Sequence, residues 1–434
     1  MENEWHLSKY VIFNKPQNAN FIMAFNLLKG SRVGLDGNEV PLLLNLDKLQ
    51  EEDPIFQKFK KYGIIVNYDE LEMIQAMYQK SNSNSVSLTI CPTLACNFDC
   101  PYCFENHKSG KMTEDIQDKV INLAEQMINA VKSKSLHITW YGGEPLLGID
   151  IIEKMSEKLI SLTNEKQINY TASIVTNGYL LTQDIVNILS KNKVLRYQIT
   201  LDGLEEVHNA TRHLVNGGPT FDVIAENLRS LHIPGRINIR HNVHNGNKDE
   251  IPLLKKLVEN IAKQSGNNIS YYSAIVFNNP ATNREDQVEV LNEEDAYHIG
   301  LLKDFKNNSK INFKNRFCGA QNLYCLSIDN EGRLYKCWED VDKPERSFGH
   351  VNTWNVKNPF FSAENPNVLS QYLSMYSIFS DEECRECKLL PICAGGCPSK
   401  RIYSHKHCLP YKNHLDELAA IMVEKSCNKK QKNP

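Results

Sequence analysis

Residues 86–104 read VSLTICPTLACNFDCPYCF: a short alternation of strand-forming residues, then a loop carrying Cys96, Cys100 and Cys103, separated by three and then two residues. Three thiolates this close can hold three corners of an iron–sulfide cube. No fourth ligand stands beside them, so one iron keeps an open position. An unfilled position is where substrate or cofactor binds, by the logic that separates catalytic from structural zinc. On the residues alone, a zinc site borrowing a distant His and three unrelated thiols stay open as alternatives.

Downstream of this loop, short β-branched runs alternate with amphipathic stretches. Strands are expected at 86–90, 136–140, 172–176, 197–201, 236–243 and 269–277, with helices at 113–132, 151–162, 182–190 and 250–264. Six such alternations imply parallel strands joined by right-handed crossovers, hence an α/β barrel or open sheet with its chemistry at the carboxyl ends of the strands. Upstream, SNSNS (81–85) reads as a linker. Residues 1–80 before it, with apolar segments WHLSKYVIF, ANFIMAFNLL and VPLLLNL and a charged helical stretch near 49–62, read as a small α+β module. The expected division is 1–80, a core over 85–305, a cysteine-rich region over 312–410, and a C-terminal helix with a basic tail over 411–434.

The 434 residues carry 49 Lys+Arg against 52 Asp+Glu, a net charge of −3. That lacks the basic excess nucleic acid requires. No apolar run is long enough to span a membrane, and MENEWHLSKY is no signal peptide. A cytoplasmic protein is expected, in which 13 cysteines point to metal ligation over disulfides. Eight of them, Cys318, Cys325, Cys337, Cys384, Cys387, Cys393, Cys397 and Cys408, crowd the 91 residues from 318 to 408. Eight thiolates divide as four and four, which suits two fully ligated [4Fe–4S] clusters; a pair of zinc sites is the alternative. Cys91 and Cys427 are expected to be ordinary thiols, and His405 and His407 surface histidines.

CNFDCPYC resembles the signature loop of the radical S-adenosylmethionine (SAM) enzymes. WYGGEPLL (140–147) resembles that family's GGE motif, and SIVTNGYLL (173–181) its ribose-contacting strand end. QITLDGLEEVHNATR (198–212) resembles the fourth-strand segment of its peptide-modifying branch. The resemblance implies a partial (β/α)6 TIM-like barrel that binds SAM on a [4Fe–4S] cluster held by Cys96, Cys100 and Cys103. It makes Tyr102, Gly142, Gly143, Glu144, Thr176, Asn177, Asp202 and Arg212 the SAM contacts, with Glu144 on the ammonium and Arg212 either on the carboxylate or simply on a helix-surface acid. The C-terminal cysteine spacing resembles the SPASM domain of peptide and protein maturases. By that resemblance Cys318, Cys325, Cys337 and Cys397 hold one auxiliary cluster, and Cys384, Cys387, Cys393 and Cys408 the other. SIDNEGRLYKC (327–337) reads as a hairpin that turns at Asn330-Glu331-Gly332. In the sulfatase-maturing relatives an aspartate follows the cysteine corresponding to Cys337; here Trp338 stands there, and Glu339 and Asp340 are the base candidates, each otherwise expected as a solvated acid.

The family thus implies reductive SAM cleavage to a 5′-deoxyadenosyl radical and oxidation of a ribosomally made precursor peptide by thioether or carbon–carbon crosslinking. Residues 1–80 would recognise a leader peptide, and flavodoxin or ferredoxin would supply the electron. Formylglycine formation on a sulfatase is the alternative reaction, and an iron–sulfur carrier or metal-stabilised peptide scaffold the alternative without catalysis.

Overall fold

The computed structural model describes residues 4–17, 19–81, 85–277, 288–301, 318–374, 376–404 and 408–430. The expected boundaries at 305 and 312, His405 and His407, and the basic end of the tail lie outside them. Among the described residues no helix is long and apolar enough to cross a membrane.

The N-terminal module opens with strand β1 (His6–Leu7), then an antiparallel sheet of β2 (Val11–Asn14), β3 (Phe21–Asn26) and β4 (Ser31–Asp36). Helix α1 (Pro54–Tyr62) follows, then β5 (Ile65–Val66), paired with β1, and α2 (Glu70–Ser81). VPLLLNL, read from sequence as one more apolar segment of this module, forms 3-10 turns at Val40–Leu44 and Leu46–Lys48. Pro41 has no N–H to give a ladder, and the less apolar SRVGLD supplies the third strand.

The core follows the expected alternation: β6 (Val86–Ile90), α3 (Glu114–Val131), β7 (Ser135–Trp140), α4 (Ile149–Glu165), β8 (Asn169–Thr176), α5 (Gln183–Lys191), β9 (Val194–Thr200), α6 (Glu205–Thr211), α7 (Phe221–Ser230), β10 (Arg236–Val243), α8 (Ile251–Ser265) and β11 (Ile269–Ile275). The six strands are parallel and lie in sequence order. Strands β6 to β10 bury alternate residues against the helices, such as Leu88, Ile138, Ile174, Ile199 and Ile239, all with no exposure. The intervening positions (Thr89, Thr139, Ser173, Gln198, Arg240) face the other side and are polar, as a period of two demands.

The outer edge of β6 is not left open. The expected hairpin forms as β12 (Cys325–Ile328) and β13 (Arg333–Tyr335), and β12 adds to β6 in parallel, Cys325 opposite Ser87 through Ile328 opposite Ile90. With β14 (Gly349–His350) the sheet reaches nine strands. This covers an edge that would otherwise expose unpaired N–H and C=O groups. It also brings the cysteine-rich region beside the first strand of the core.

A second apolar cluster joins both ends of the chain: Tyr10, Phe25 and Tyr78 pack with Leu389, Tyr411, Leu418 and Met422. The C-terminal helix, Leu415–Lys430, runs against β2. Cys427 falls on it, with its side chain outside the described residues.

Candidate active site

The three-cysteine loop leaves β6 and folds on itself through Cys103 N donating to Cys100 O (3.0 Å) and Phe98 N to Cys96 Sγ (3.4 Å). Phe98, with no exposure, anchors it between the Tyr179 ring and the Arg212 guanidinium, at 5.9 and 5.6 Å. Cys91 lies buried at the strand end in a separate apolar cluster, an ordinary thiol whose pKa burial raises.

Glycine is required where the GGE turn crosses this loop. A Cβ on Gly143 would stand 2.4 Å from Ala95 O and 2.5 Å from Leu94 O. One on Gly142, at φ +107°, would meet Thr93 O at 2.3 Å. Close approach lets Glu144 N donate to Ala95 O at 2.9 Å. Both glycines also line the adjoining cavity of about 350 Å³.

Glu144 is fully buried and is not part of that lining. Its carboxylate accepts from Thr176 Oγ1 (2.7 Å), Asn177 N (2.8 Å) and Leu146 N (3.0 Å). Burial raises its pKa and these donors oppose the shift. Through these bonds Glu144 fixes Thr176 and Asn177, which line the cavity. Asn177 Nδ2 in turn donates to Asn97 Oδ1 at 2.8 Å, linking β8's end to the cysteine loop.

Tyr102, Asp202 and Arg212 form one unit. Arg212 Nη1 donates to the Tyr102 hydroxyl (2.7 Å), which donates to Asp202 Oδ2. Asp202 Oδ1 accepts from Asn242 N (3.0 Å), and Asn242 Nδ2 also reaches the Tyr102 hydroxyl (3.2 Å). Burial drives the Tyr102 pKa well up, while neighbouring Cys100, Tyr102 and Asp202 hold the Arg212 charge firmly in place. Arg212 therefore pairs within the site and not with a helix-surface acid. Arg212 lines the cavity and its Nε is buried without a partner, as is Asn97 Nδ2 in the cysteine loop. A charged donor with nothing to donate to fits a carboxylate ligand. Asn97, Asn242 and the cavity-lining Glu105 were not read as site residues from sequence. Glu105, just past Cys103, is almost fully buried with Oε2 unpartnered, and burial pushes its pKa up to about 7 against the opposing charge of Lys343.

The cavity's far wall comes from the cysteine-rich region. Trp338 stacks on Tyr141 (5.3 Å, 21°) and Glu339 lines the cavity with Lys400 and Tyr403. Asp340, expected as a solvated acid, has no exposure. It binds Arg346 Nη1 (3.1 Å), Ser399 Oγ (3.2 Å) and the Tyr372 hydroxyl, and it is not on the cavity wall. Two of these partners, Tyr372 and Ser399, are distant in sequence, so no local pattern announces the burial.

Cys384, Cys387, Cys393 and Cys408 ring one small cavity. Cys318, Cys325, Cys337 and Cys397 form the other neighbourhood, their charges acting on one another through Cys318. Among the described residues, no three His, Cys, Asp or Glu side chains meet as the shell of a single metal ion.

Comparison with known proteins agrees with this arrangement. The Radical SAM superfamily profile matches residues 90–258. The chain is 26% identical over 355 residues to the cysteine-type anaerobic sulfatase-maturating enzyme of Clostridium novyi, covering 72% of this chain and 88% of that one. It is 24% identical over 447 residues to the radical SAM cyclopropyl synthase TigE of Paramaledivibacter caminithermalis, covering 90% and 89%. Its fold is similar to that of anSMEcpe with bound AdoMet and Cp18Cys peptide, with a TM-score of 0.59 at 20% identity over 79% of this chain and 99% of that one. The parallel sheet, the cysteine loop at its first strand and the matched segment together show a radical SAM domain over residues 90–258.

Proposed function

We propose that this chain is a maturase that oxidatively modifies a ribosomally made precursor peptide, by thioether or carbon–carbon crosslink formation. The observation that carries this reading is the shared cavity, with strand ends of the core on one side and Trp338, Glu339, Lys400 and Tyr403 on the other. A side chain entering it meets the core and the cysteine-rich region together, and its size suits a peptide residue. When bound, the radical SAM cluster and SAM supply one-electron chemistry that ends in a hydrogen-abstracting 5′-deoxyadenosyl radical.

The chain's own residues serve that chemistry in distinct ways. Cys96, Cys100 and Cys103 would hold the cluster, and Arg212 Nε would take the SAM carboxylate. Tyr102, Asp202 and Asn242 keep the guanidinium in place, while Gly142, Gly143, Thr176 and Asn177 shape the wall on which SAM lies. Glu339 is the base candidate, being on the cavity; Asp340 serves instead to tie Arg346 to Ser399. The two groups of four C-terminal cysteines would hold two auxiliary [4Fe–4S] clusters. The electron would come from flavodoxin or ferredoxin.

Residues 1–80 would read a leader peptide. Strand β2 faces the C-terminal helix, with Asn14 Nδ2 donating to Asp416 O at 3.4 Å, whereas β4 is the far edge of its sheet and offers strand addition. The wider alignment with TigE than with the sulfatase-maturating enzyme supports counting this module as part of the working enzyme. Formylglycine formation is the second reading, favoured by the similarity to the sulfatase-maturating enzymes and opposed by Trp338, whose stacking on Tyr141 fills the place of their aspartate.

The test is anaerobic: reconstituted protein, SAM, a reductant and the short peptide encoded beside its gene. 5′-Deoxyadenosine with a peptide that has lost two hydrogens supports the proposal. An aldehyde on a sulfatase peptide supports the second reading, and intact clusters without 5′-deoxyadenosine would refute both.

A further inference from the structure

The two C-terminal cysteine groups differ in what touches their sulfurs. In the Cys384, Cys387, Cys393 and Cys408 group, Arg401 Nη2 donates to Cys384 Sγ at 3.0 Å. The guanidinium is held from behind: Nη1 and Nη2 both reach Asp381 Oδ2, at 3.1 and 3.4 Å. Asp381 Oδ1 meanwhile accepts from Cys384 N at 3.1 Å, capping the helix Glu382–Glu386. One carboxylate therefore fixes both the cation and the thiol it addresses. Arg401 is 13% exposed, and its Nε is buried without a partner. It projects from the helix Pro398–Tyr403, which begins directly after Cys397 of the other group. In that other group the buried cation is Lys336, and it spends its N–H donors on carbonyls, Asn322 O (2.6 Å) and Cys325 O (2.7 Å).

Resting on the auxiliary-cluster reading above, we infer that Arg401 is a positioning residue that sets the reduction potential of the cluster held by Cys384, Cys387, Cys393 and Cys408. A metal-bound cysteine is a thiolate, so the contact pairs a permanent cation with an anion in a low-dielectric setting. Reduction adds negative charge to the cluster. A buried cation donating to its sulfur stabilises the reduced form and raises the potential. Among the described residues the sulfurs of the other group accept from the backbone N–H groups of Ala320, Ser87, Glu339 and Lys400 and from no side-chain cation, so the two clusters are poised at different potentials.

The test is an anaerobic redox titration of the reconstituted full chain followed by electron paramagnetic resonance, with iron and sulfide counted first. In Arg401→Met the iron content should stay at wild-type level while one auxiliary midpoint moves to more negative potential. The cluster whose signal responds to SAM should not move. Arg401→Lys, which keeps the charge but loses the fork held by Asp381, should fall between the two, and it supplies the comparison if the Met variant loses iron. Unchanged midpoints in iron-replete variants overturn the role of Arg401. Wild-type protein with iron for the SAM-responsive cluster alone overturns the auxiliary-cluster reading itself.

Discussion

Lys343 Nζ donates to the carbonyl of Phe104 at 3.1 Å and to that of Glu339 at 2.7 Å. Asp342 beside it accepts from Asn106 N at 2.8 Å. The loop that leaves Cys103 is thereby tied to the segment that follows Cys337, so the wall of the cavity formed by the core and the wall formed by the cysteine-rich region are held at one spacing.

Lys343→Met should cut that tie. Loss of a buried, charged donor costs about 1.5–3 kcal/mol, so chemical denaturation should report a loss of that order. Backbone amide exchange should rise over 104–108 while the strands of the core stay protected.

Gly143→Ala tests the contact between the two loops. Because its Cβ would overlap Ala95 O and Leu94 O, either the GGE turn or the cysteine loop must shift. SAM binding should weaken by at least tenfold, with the far-ultraviolet dichroism of the folded sheet unchanged.

Arg212→Lys keeps a cation but removes the orphaned Nε and the fork on Tyr102. A charged hydrogen bond worth about 1.5–3 kcal/mol corresponds to roughly a 10- to 150-fold loss of SAM affinity, read by equilibrium binding to reconstituted protein.

Acid sensitivity should come from the buried histidines behind the site. Desolvation lowers the pKa of His241 from 6.5 to about 4 and also holds that of His208 well below its ordinary value. The unfolded chain takes up these protons near pH 6.5 and the folded one does not, so stability falls as the pH drops from about 6.5 towards 4. Between pH 7 and pH 5, His241→Gln should remove up to about 2 kcal/mol of that loss, at about 1.4 kcal/mol per pH unit below 6.5. Denaturation curves at pH 7 and pH 5 measure it.

Leader recognition is best tested on the strand edge. Deleting residues 1–80 would strip Tyr10, Phe25 and Tyr78 from the cluster they share with Tyr411 and Met422, exposing apolar surface elsewhere in the fold. Proline substitutions at Arg32 and Val33 of β4 remove one outward and one inward N–H between them. Only the outward loss should weaken binding of a precursor peptide while leaving thermal stability nearly unchanged.

Most of the core could be read in advance because its signals are local. Periods of two and 3.6 mark β6 to β11 and the helices between them, and ends differ by only a few residues. The cysteine loop, the double glycine and Thr176-Asn177 are likewise contiguous motifs, and the fold brings them to one cavity. Asn242, Asn97 and Glu105 carry no such signature. Each acquires meaning from a partner or a void supplied by distant chain: Asn242 from Tyr102 and Asp202, Glu105 from its near-complete burial beside Tyr141 and Lys343.

Residue types and spacings by themselves determined the parallel α/β core and the three-cysteine loop. Those features depend on neighbours a few positions apart. Only the tertiary structure decided that β12 closes the edge of β6, that Trp338 lies on Tyr141, that Asp340 is sealed by Tyr372 and Ser399, and that Arg401 reaches across from the helix after Cys397 to the sulfur of Cys384. Each of these is a contact between segments far apart in sequence, fixed by the burial of apolar surface and the pairing of polar groups that no single segment can satisfy alone.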